Sequence, residues 1–355
     1  MKTAKPTVVV FGLGQYYSKL RAGIHRHFHV VAIYDARPLE MLDLVESDPK
    51  LFSQFISSKD LDLPCGIDAF MILTPPSTHI DLLELCSPMG KPVFVEKPLG
   101  TGLVDQNRVL SVVDRNPHLY CSDFYPDVHA TPLLAFFGRG ESTPLLDRLR
   151  VVNDESGLWN EGAVGLGPPV RIEALLLEGL GQAATFEGRD WLWQANGGGV
   201  LLDLMYHHLC LAGFIFESLV EPVQVQVDTL AENGDLVAWD PLLQRAETHA
   251  IVSGTLRDGL SVFLEVGKYV KPENRRTFDV HFEGGSARMI FQNPNTLELV
   301  SGGRTARIEL HGDWYDLVCL RFLKYVEARS GKPYGLDQAF MALDSIDRIK
   351  KLASA

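Results

Sequence analysis

The segment Thr7–Tyr17, TVVVFGLGQYY, constrains the fold more tightly than any other stretch of the chain. The unbroken apolar run Val8 to Phe11 lacks the alternation of a strand with one wet face, so it reads as a parallel strand buried on both sides. Gly12 permits a sharp turn directly after it. Gly14, with no Cβ, lets a pyrophosphate approach the backbone and the free N–H groups at the start of the next helix, where Leu13, Gln15 and Tyr16 also lie. Tyr17 occupies the third glycine position of the usual fingerprint, which must alter the contact between helix and strand. The next apolar stretch, His29 to Tyr34, ends at Asp35, about twenty residues beyond the turn, where a carboxylate can accept hydrogen bonds from an adenosine ribose. The expectation is a dinucleotide site that prefers NAD, because Asp35 would repel a 2′-phosphate. Arg37 could swing toward that phosphate and keeps NADP possible. An ordinary tight turn in a nucleotide-free α/β domain is the competing reading.

A chain of 355 residues exceeds one comfortable hydrophobic core and points to two domains. Its formal charge of −12 argues against a nonspecific nucleic-acid surface and leaves small molecules as the expected partners. The five cysteines are dispersed, odd in number and without a C-x-x-C pair, which favours a reduced compartment over a disulfide framework or structural zinc. No apolar run is long enough to span a bilayer and the first strand begins within a few residues of Met1, so a cytoplasmic protein without membrane attachment is expected.

Strand and helix patterns alternate from residue 7 to about 125, so residues 1–125 are assigned to a Rossmann domain. The cluster His25, Arg26, His27 and His29 fits the C-terminal end of the first helix, where cations favour the dipole, better than a metal site. A second helix should open at Pro38, strands should cover 51–57, 68–74, 92–95 and 119–125, and Ser77 or Thr78 should cap the helix that runs to Cys86. Residues 126–330 read differently. After a Gly/Pro-rich segment come strands at 170–177, 223–230, 247–256, 260–267, 276–283 and 287–291, with an apolar helix over 200–214 and another over 314–328. Strands without regular intervening helices predict a largely antiparallel open sheet, with one face free to pair in a homodimer or homotetramer. Residues 331–355 are assigned to a C-terminal helix.

Open parallel sheets bind ligands beyond the C-terminal strand ends. Thr74-Pro75-Pro76 and Glu96-Lys97-Pro98 occupy such ends, so Thr74, Pro75, His79, Glu96 and Lys97 are expected to line the cofactor. The Lys97 ammonium could also hold a substrate oxygen during hydride transfer, as against a strand-end lysine merely facing solvent. Asp203 and His207 lie four apart on the predicted helix after Gly197-Gly198-Gly199 and so share a face, an arrangement that can orient an imidazole as a proton acceptor. They could supply two metal ligands, but no local third ligand follows and hydride chemistry needs no metal. Tyr125, His129 and Trp193 complete the expected substrate contacts, with core packing an equal alternative for Trp193.

The chain resembles the glucose-fructose oxidoreductase and inositol 2-dehydrogenase family, known as Gfo/Idh/MocA, over nearly its whole length. The resemblance rests on Gly12-Leu13-Gly14, on Thr74-Pro75-Pro76-Ser77-Thr78-His79, on Glu96-Lys97-Pro98, and on the segment Gly197 to His207. It implies a nicotinamide cofactor, a sugar-like or polyol substrate, catalytic roles for Lys97 and His207, and Asp203 as substrate contact or histidine orienter. Relatives commonly carry glycine at Met205 and a smaller residue at Tyr17, and many have an arginine in the stretch Tyr125 to His129 that this chain lacks. A redox-assisted glycosidase and a ligand-binding regulator without turnover are the alternatives that the same resemblance leaves open.

Overall fold

The computed structural model describes residues 4–37, 52–54, 61, 63–139, 145–154, 156–178, 199–230, 236–240, 245–268, 274–329 and 331–354. The helix expected from Pro38 and the side chain of Trp193 lie outside them. Two compact units divide the chain: one holds Met1–Gly100, Val104–Asp123 and Gly312–Leu336, the other Thr101–Leu103, Phe124–His311 and Asp337–Ala355.

In the first unit, β1 (Thr7–Phe11), α1 (Gln15–His27), β2 (His29–Asp35), β3 (Phe52–Gln54), β4 (Ala69–Ile72), α2 (His79–Cys86), β5 (Val93–Glu96), α3 (Gln106–Arg115) and β6 (Leu119–Ser122) follow one another along the chain. The strands form a parallel sheet in the order β3-β2-β1-β4-β5-β6. Val8 to Phe11 are fully buried at its centre, as an unbroken apolar run in a sheet covered on both faces requires. Strand order reverses between β1 and β4, so the crevice beyond their C-terminal ends is where such a sheet receives a nucleotide.

The helix Trp314–Ala328 belongs to this unit, which differs from its expected place in the second domain. A Cβ on Gly23 would stand 2.9 Å from Cys319 Sγ, so the glycine in α1 lets the two helices close on each other. Phe322 packs among Phe28, Phe94 and Tyr120. Arg26 and His27 both reach Asp316, at 2.8 and 2.9 Å, so the cationic end of α1 is neutralised by this later helix. Periodicity identifies an amphipathic helix but carries no information about which sheet its apolar side covers.

The second unit contains α4 (Thr131–Phe136), β7 (Leu149–Asn153), α5 (Leu158–Glu161), β8 (Pro169–Glu178), α6 (Tyr206–Phe216), β9 (Glu221–Leu230), β10 (Leu236–Ala238), β11 (His249–Thr255), β12 (Ser261–Lys268), β13 (Arg275–Phe282), β14 (Gly285–Ile290), β15 (Asn295–Ser301) and β16 (Arg304–Leu310). Its sheet runs β10-β9-β11-β12-β8-β13-β14-β15-β16-β7, antiparallel except for the β8–β12 pair. Alternation sorts the side chains. Ile172, Ala174 and Leu176 of β8 and Val262, Leu264 and Val266 of β12 are buried on one face, whereas Glu173, Leu175, Phe263 and Glu265 keep part of their surface on the other. The C-terminal helix, Leu336–Ala353, is not separate: Val220 N–H donates to Ser345 Oγ at 3.2 Å, and Arg348 pairs with Glu221.

Two further differences matter for the site. The strand expected to reach Tyr125 stops at Ser122, and Tyr125–His129 forms a π-wound turn held by the Ala130 N–H on Tyr125 O at 2.8 Å. The helix expected over 200–214 begins as a π-wound stretch, Leu201–Met205, before α6 continues it. Such turns widen the helix by one residue and recur at functional sites.

Candidate active site

The glycine turn of the first unit separates two demands. Gly12 has φ +92°, and a Cβ there would lie 2.7 Å from Leu73 O, so the fold itself excludes any larger residue. A Cβ on Gly14 would meet no protein atom within 4 Å. Packing within the protein therefore does not demand glycine at position 14, and the open space in front of the first turn of α1 fits a pyrophosphate on the helix N-terminus. Gln15 is exposed and Tyr16 half-buried beside it, whereas Tyr17 is buried, with its hydroxyl 3.4 Å from His25 Nε2.

Asp35 ends β2 against this turn. Its Oδ2 accepts from Leu13 N–H at 2.7 Å, and Arg37 closes on it through Nε to Oδ1 and Nη2 to Oδ2, both 2.9 Å, with the Arg37 backbone N–H on Oδ1 at 2.9 Å. Burial pushes the carboxyl pKa up, but the Arg37 side chain and the two backbone donors outweigh it and hold Asp35 below the ordinary carboxylate range. The group that would read the ribose is thus ionised and fixed by a bidentate arginine.

At the ends of β4 and β5, Thr74 and Lys97 are half-buried and Pro75 is exposed. Thr78 does not cap α2 with its side chain; its hydroxyl turns back to Thr74 Oγ1 at 2.7 Å and Pro75 O at 2.9 Å and tightens the turn instead. His79 is fully buried, with Nδ1 2.8 Å from Pro98 O and Nε2 2.7 Å from Thr74 O. Burial lowers its pKa against the pull of those two carbonyls. The imidazole bridges the Thr74–Thr78 turn and the Glu96-Lys97-Pro98 segment, so its contribution to this site is to hold the lysine-bearing turn in register with its neighbour.

In the second unit His207 lies in the first turn of α6 and is only 7% exposed. Tyr125 stacks on its ring, with centroids 4.4 Å apart and planes at 26°. His129, at the end of the same π-wound turn, bonds through Nδ1 to Asn295 Oδ1 at 2.8 Å. Asp203 Oδ2 lies 2.8 Å from Lys268 Nζ, an ion pair with side chains 15% and 3% exposed. Beneath the start of this helix sits Glu247, almost completely buried, its carboxyl accepting from the Leu201 N–H; burial pushes its pKa up against the opposing charges of Lys350 and Lys268. Gly199 has φ +83°, and a Cβ on it would overlap the Glu247 carboxyl. The last glycine of the triplet is therefore required by a glutamate about fifty residues downstream.

Sequence reasoning missed Glu247 and Lys268. Lys268 left a signal: it continues the inward parity of Val262, Leu264 and Val266, a buried position where an unpaired lysine would be costly. Glu247 left none, because it precedes β11 in irregular backbone.

Comparison with known proteins bears on both units. The family model described as the oxidoreductase family, NAD-binding Rossmann fold, matches residues 7–124, and that of the GFO/IDH/MocA C-terminal domain matches residues 163–288, together more than half of the chain. The chain belongs to the Gfo/Idh/MocA oxidoreductase family. A curated relative of this family member, inositol 2-dehydrogenase of Rhizobium meliloti strain 1021, is 23% identical over 308 residues, covering 84% of this chain and 79% of the relative. Among solved structures, the UDP-N-acetylglucosamine 3-dehydrogenase of Acidithiobacillus ferrooxidans superposes with a TM-score of 0.71 at 19% identity, covering 99% of both chains. A levoglucosan dehydrogenase bound to NADH and levoglucosan superposes with a TM-score of 0.73 at 15% identity, covering 98% of this chain and 97% of that one. At such identities the structural likeness speaks for the fold alone. The departures Tyr17 and Met205 are both buried, so this Gfo/Idh/MocA protein absorbs its larger residues in the core of its two helix starts. No described helix is long and apolar enough to cross a membrane, and no described cluster of three or more acidic, histidine or cysteine side chains could hold a metal ion.

Proposed function

We propose that this Gfo/Idh/MocA oxidoreductase transfers hydride between a nicotinamide dinucleotide and a carbon bearing the hydroxyl or carbonyl of a sugar, polyol or close derivative. The observation that carries the reading is the contrast at the turn: Gly12 is demanded by Leu73, whereas Gly14 faces open space at the start of α1, where a pyrophosphate would meet the free N–H groups. Leu13, Gly14, Gln15 and Tyr16 would hold the pyrophosphate, Asp35 with Arg37 the ribose, and Thr74, Pro75 and Glu96 the remainder. The bound nicotinamide supplies the two-electron chemistry. His207 takes the hydroxyl proton, and Lys97 stabilises the oxygen as it gains alkoxide character; both roles reverse in reduction. Asp203, fixed by Lys268, contributes to the substrate side together with His129 and Trp193.

The purified protein, incubated with NAD and a panel of sugars, polyols, sugar acids and glycosides, tests this directly. Net NADH formation is expected. Glycoside cleavage without net NADH would replace the dehydrogenase by a redox-assisted glycosidase, and ligand binding with neither signal would leave a regulator. In the same experiment NADH should bind about tenfold or more tightly than NADPH. To reach a 2′-phosphate Arg37 must abandon two bonds to Asp35, and the stripped carboxylate would then repel the phosphate. Tighter NADPH binding would reverse the assignment.

The partly exposed face of the large sheet supports self-association as a homodimer or homotetramer. Across five strands it aligns Glu173, Asp279, Arg288, Glu298 and Arg307 in register, flanked by Leu175 and Phe263. Asp279 is buried within this row, its pKa raised by burial despite Arg288 at 2.8 Å. Light scattering at micromolar concentration should return a dimer or tetramer; monomer alone would remove the sheet-pairing model.

A further inference from the structure

We propose that Tyr125 is a positioning residue that acts by stacking on His207, and not through its hydroxyl; this rests on the reading of His207 as the proton acceptor. A histidine that must take a proton from one hydroxyl needs its ring plane fixed as well as its position, because a small misdirection of the accepting lone pair costs rate out of proportion to the movement. The backbone of α6 fixes the Cα of His207 but does not by itself set the ring plane, which depends on what packs against the ring. Tyr125 lies against one face of that ring at 4.4 Å and 26°, a parallel contact that opposes such rotation.

Tyr125 is itself held from several sides. Phe291 meets it edge-on at 4.4 Å, His208 meets it edge-on at 6.0 Å, and the tilted ring of His129 stands 5.2 Å away. The π-wound turn from Tyr125 to His129 is pinned at its far end by the His129–Asn295 bond of 2.8 Å and by Thr131 Oγ1 donating to Val128 O at 2.8 Å. Tyr125 is 6% exposed, so the ring serves as a wall behind the imidazole. An α-helical continuation would omit the extra residue and rotate Tyr125 away from that position.

Three variants and two readouts decide it. In protein carrying carbon-labelled histidine, the ring resonances of His207, assigned by their loss in His207→Asn, should shift in Tyr125→Leu as the stacked ring is removed and stay near the parental position in Tyr125→Phe. With NAD and myo-inositol, or the panel sugar turned over fastest, Tyr125→Leu should lower kcat about tenfold or more while KM and NADH affinity stay within about twofold. Tyr125→Phe should restore kcat to within about threefold of the parent. If the leucine variant does not fold, Tyr125→Met, closer in volume and equally without a ring, takes its place. Parental kcat in the ringless variant, with His207→Ala inactive, would overturn the positioning role alone. A phenylalanine variant as slow as the leucine variant would assign the effect to the hydroxyl and overturn it too. Full turnover in His207→Ala would instead defeat the proton-acceptor reading on which the inference rests.

Discussion

Replacing either His207 or Lys97 by alanine is expected to lower kcat about 10²-fold or more while the fold and NADH affinity stay near those of the parent. The separation follows from where the groups sit. Lys97 stands half-buried after β5, and the pyrophosphate turn lies after β1. His207 belongs to the second compact unit, whereas every residue assigned to the pyrophosphate and the ribose belongs to the first. A group that stabilises charge or accepts a proton only as the reaction proceeds contributes little to ground-state binding, so its loss should appear in kcat. Thermal melts and NADH titration would establish folding and cofactor binding before turnover is compared. Parental rates in both variants would defeat the mechanism while leaving the family assignment intact.

Lys268→Ala should destabilise the second unit by about 3 kcal/mol, because it leaves the largely but not fully buried Asp203 carboxylate without its 2.8 Å cation. The loss comes mainly from an uncompensated charge. A double variant, Asp203→Asn with Lys268→Met, has no such charge and should regain half or more of the stability in denaturant unfolding. Turnover should not return with it, since in the proposed mechanism Asp203 acts as a carboxylate and the amide carries no charge. A single variant as stable as the parent would show that the pair is immaterial to folding. A double variant no more stable than Lys268→Ala would shift the cause to lost packing of the lysine stem.

Much of the candidate site is visible in local sequence because its chemistry is local. Gly12 and Gly14 mark a turn whose geometry depends on backbone conformation and the absence of Cβ atoms, and Asp35 follows at the distance set by one helix and one strand. Lys97 adjoins a proline just where β5 ends, and a strand end is a property of the chain within a few residues. The π-wound turns escape such reading, because one extra residue per turn leaves the apolar spacing nearly unchanged.

The sequence by itself determined the parallel sheet around β1, the largely antiparallel second sheet, the glycine turn and the strand-end lysine, since each depends on periodicity or backbone chemistry within about twenty residues. Tertiary structure alone decided the rest. Trp314–Ala328 joins the Rossmann unit because Phe322 completes an aromatic cluster and Cys319 faces Gly23. Gly199 must be glycine because Glu247 lies beneath it, Asp203 is fixed by Lys268, and the His207 ring is faced by Tyr125. These pairs are separated by tens to hundreds of residues along the chain, and a contact between distant side chains arises only when the elements carrying them are packed.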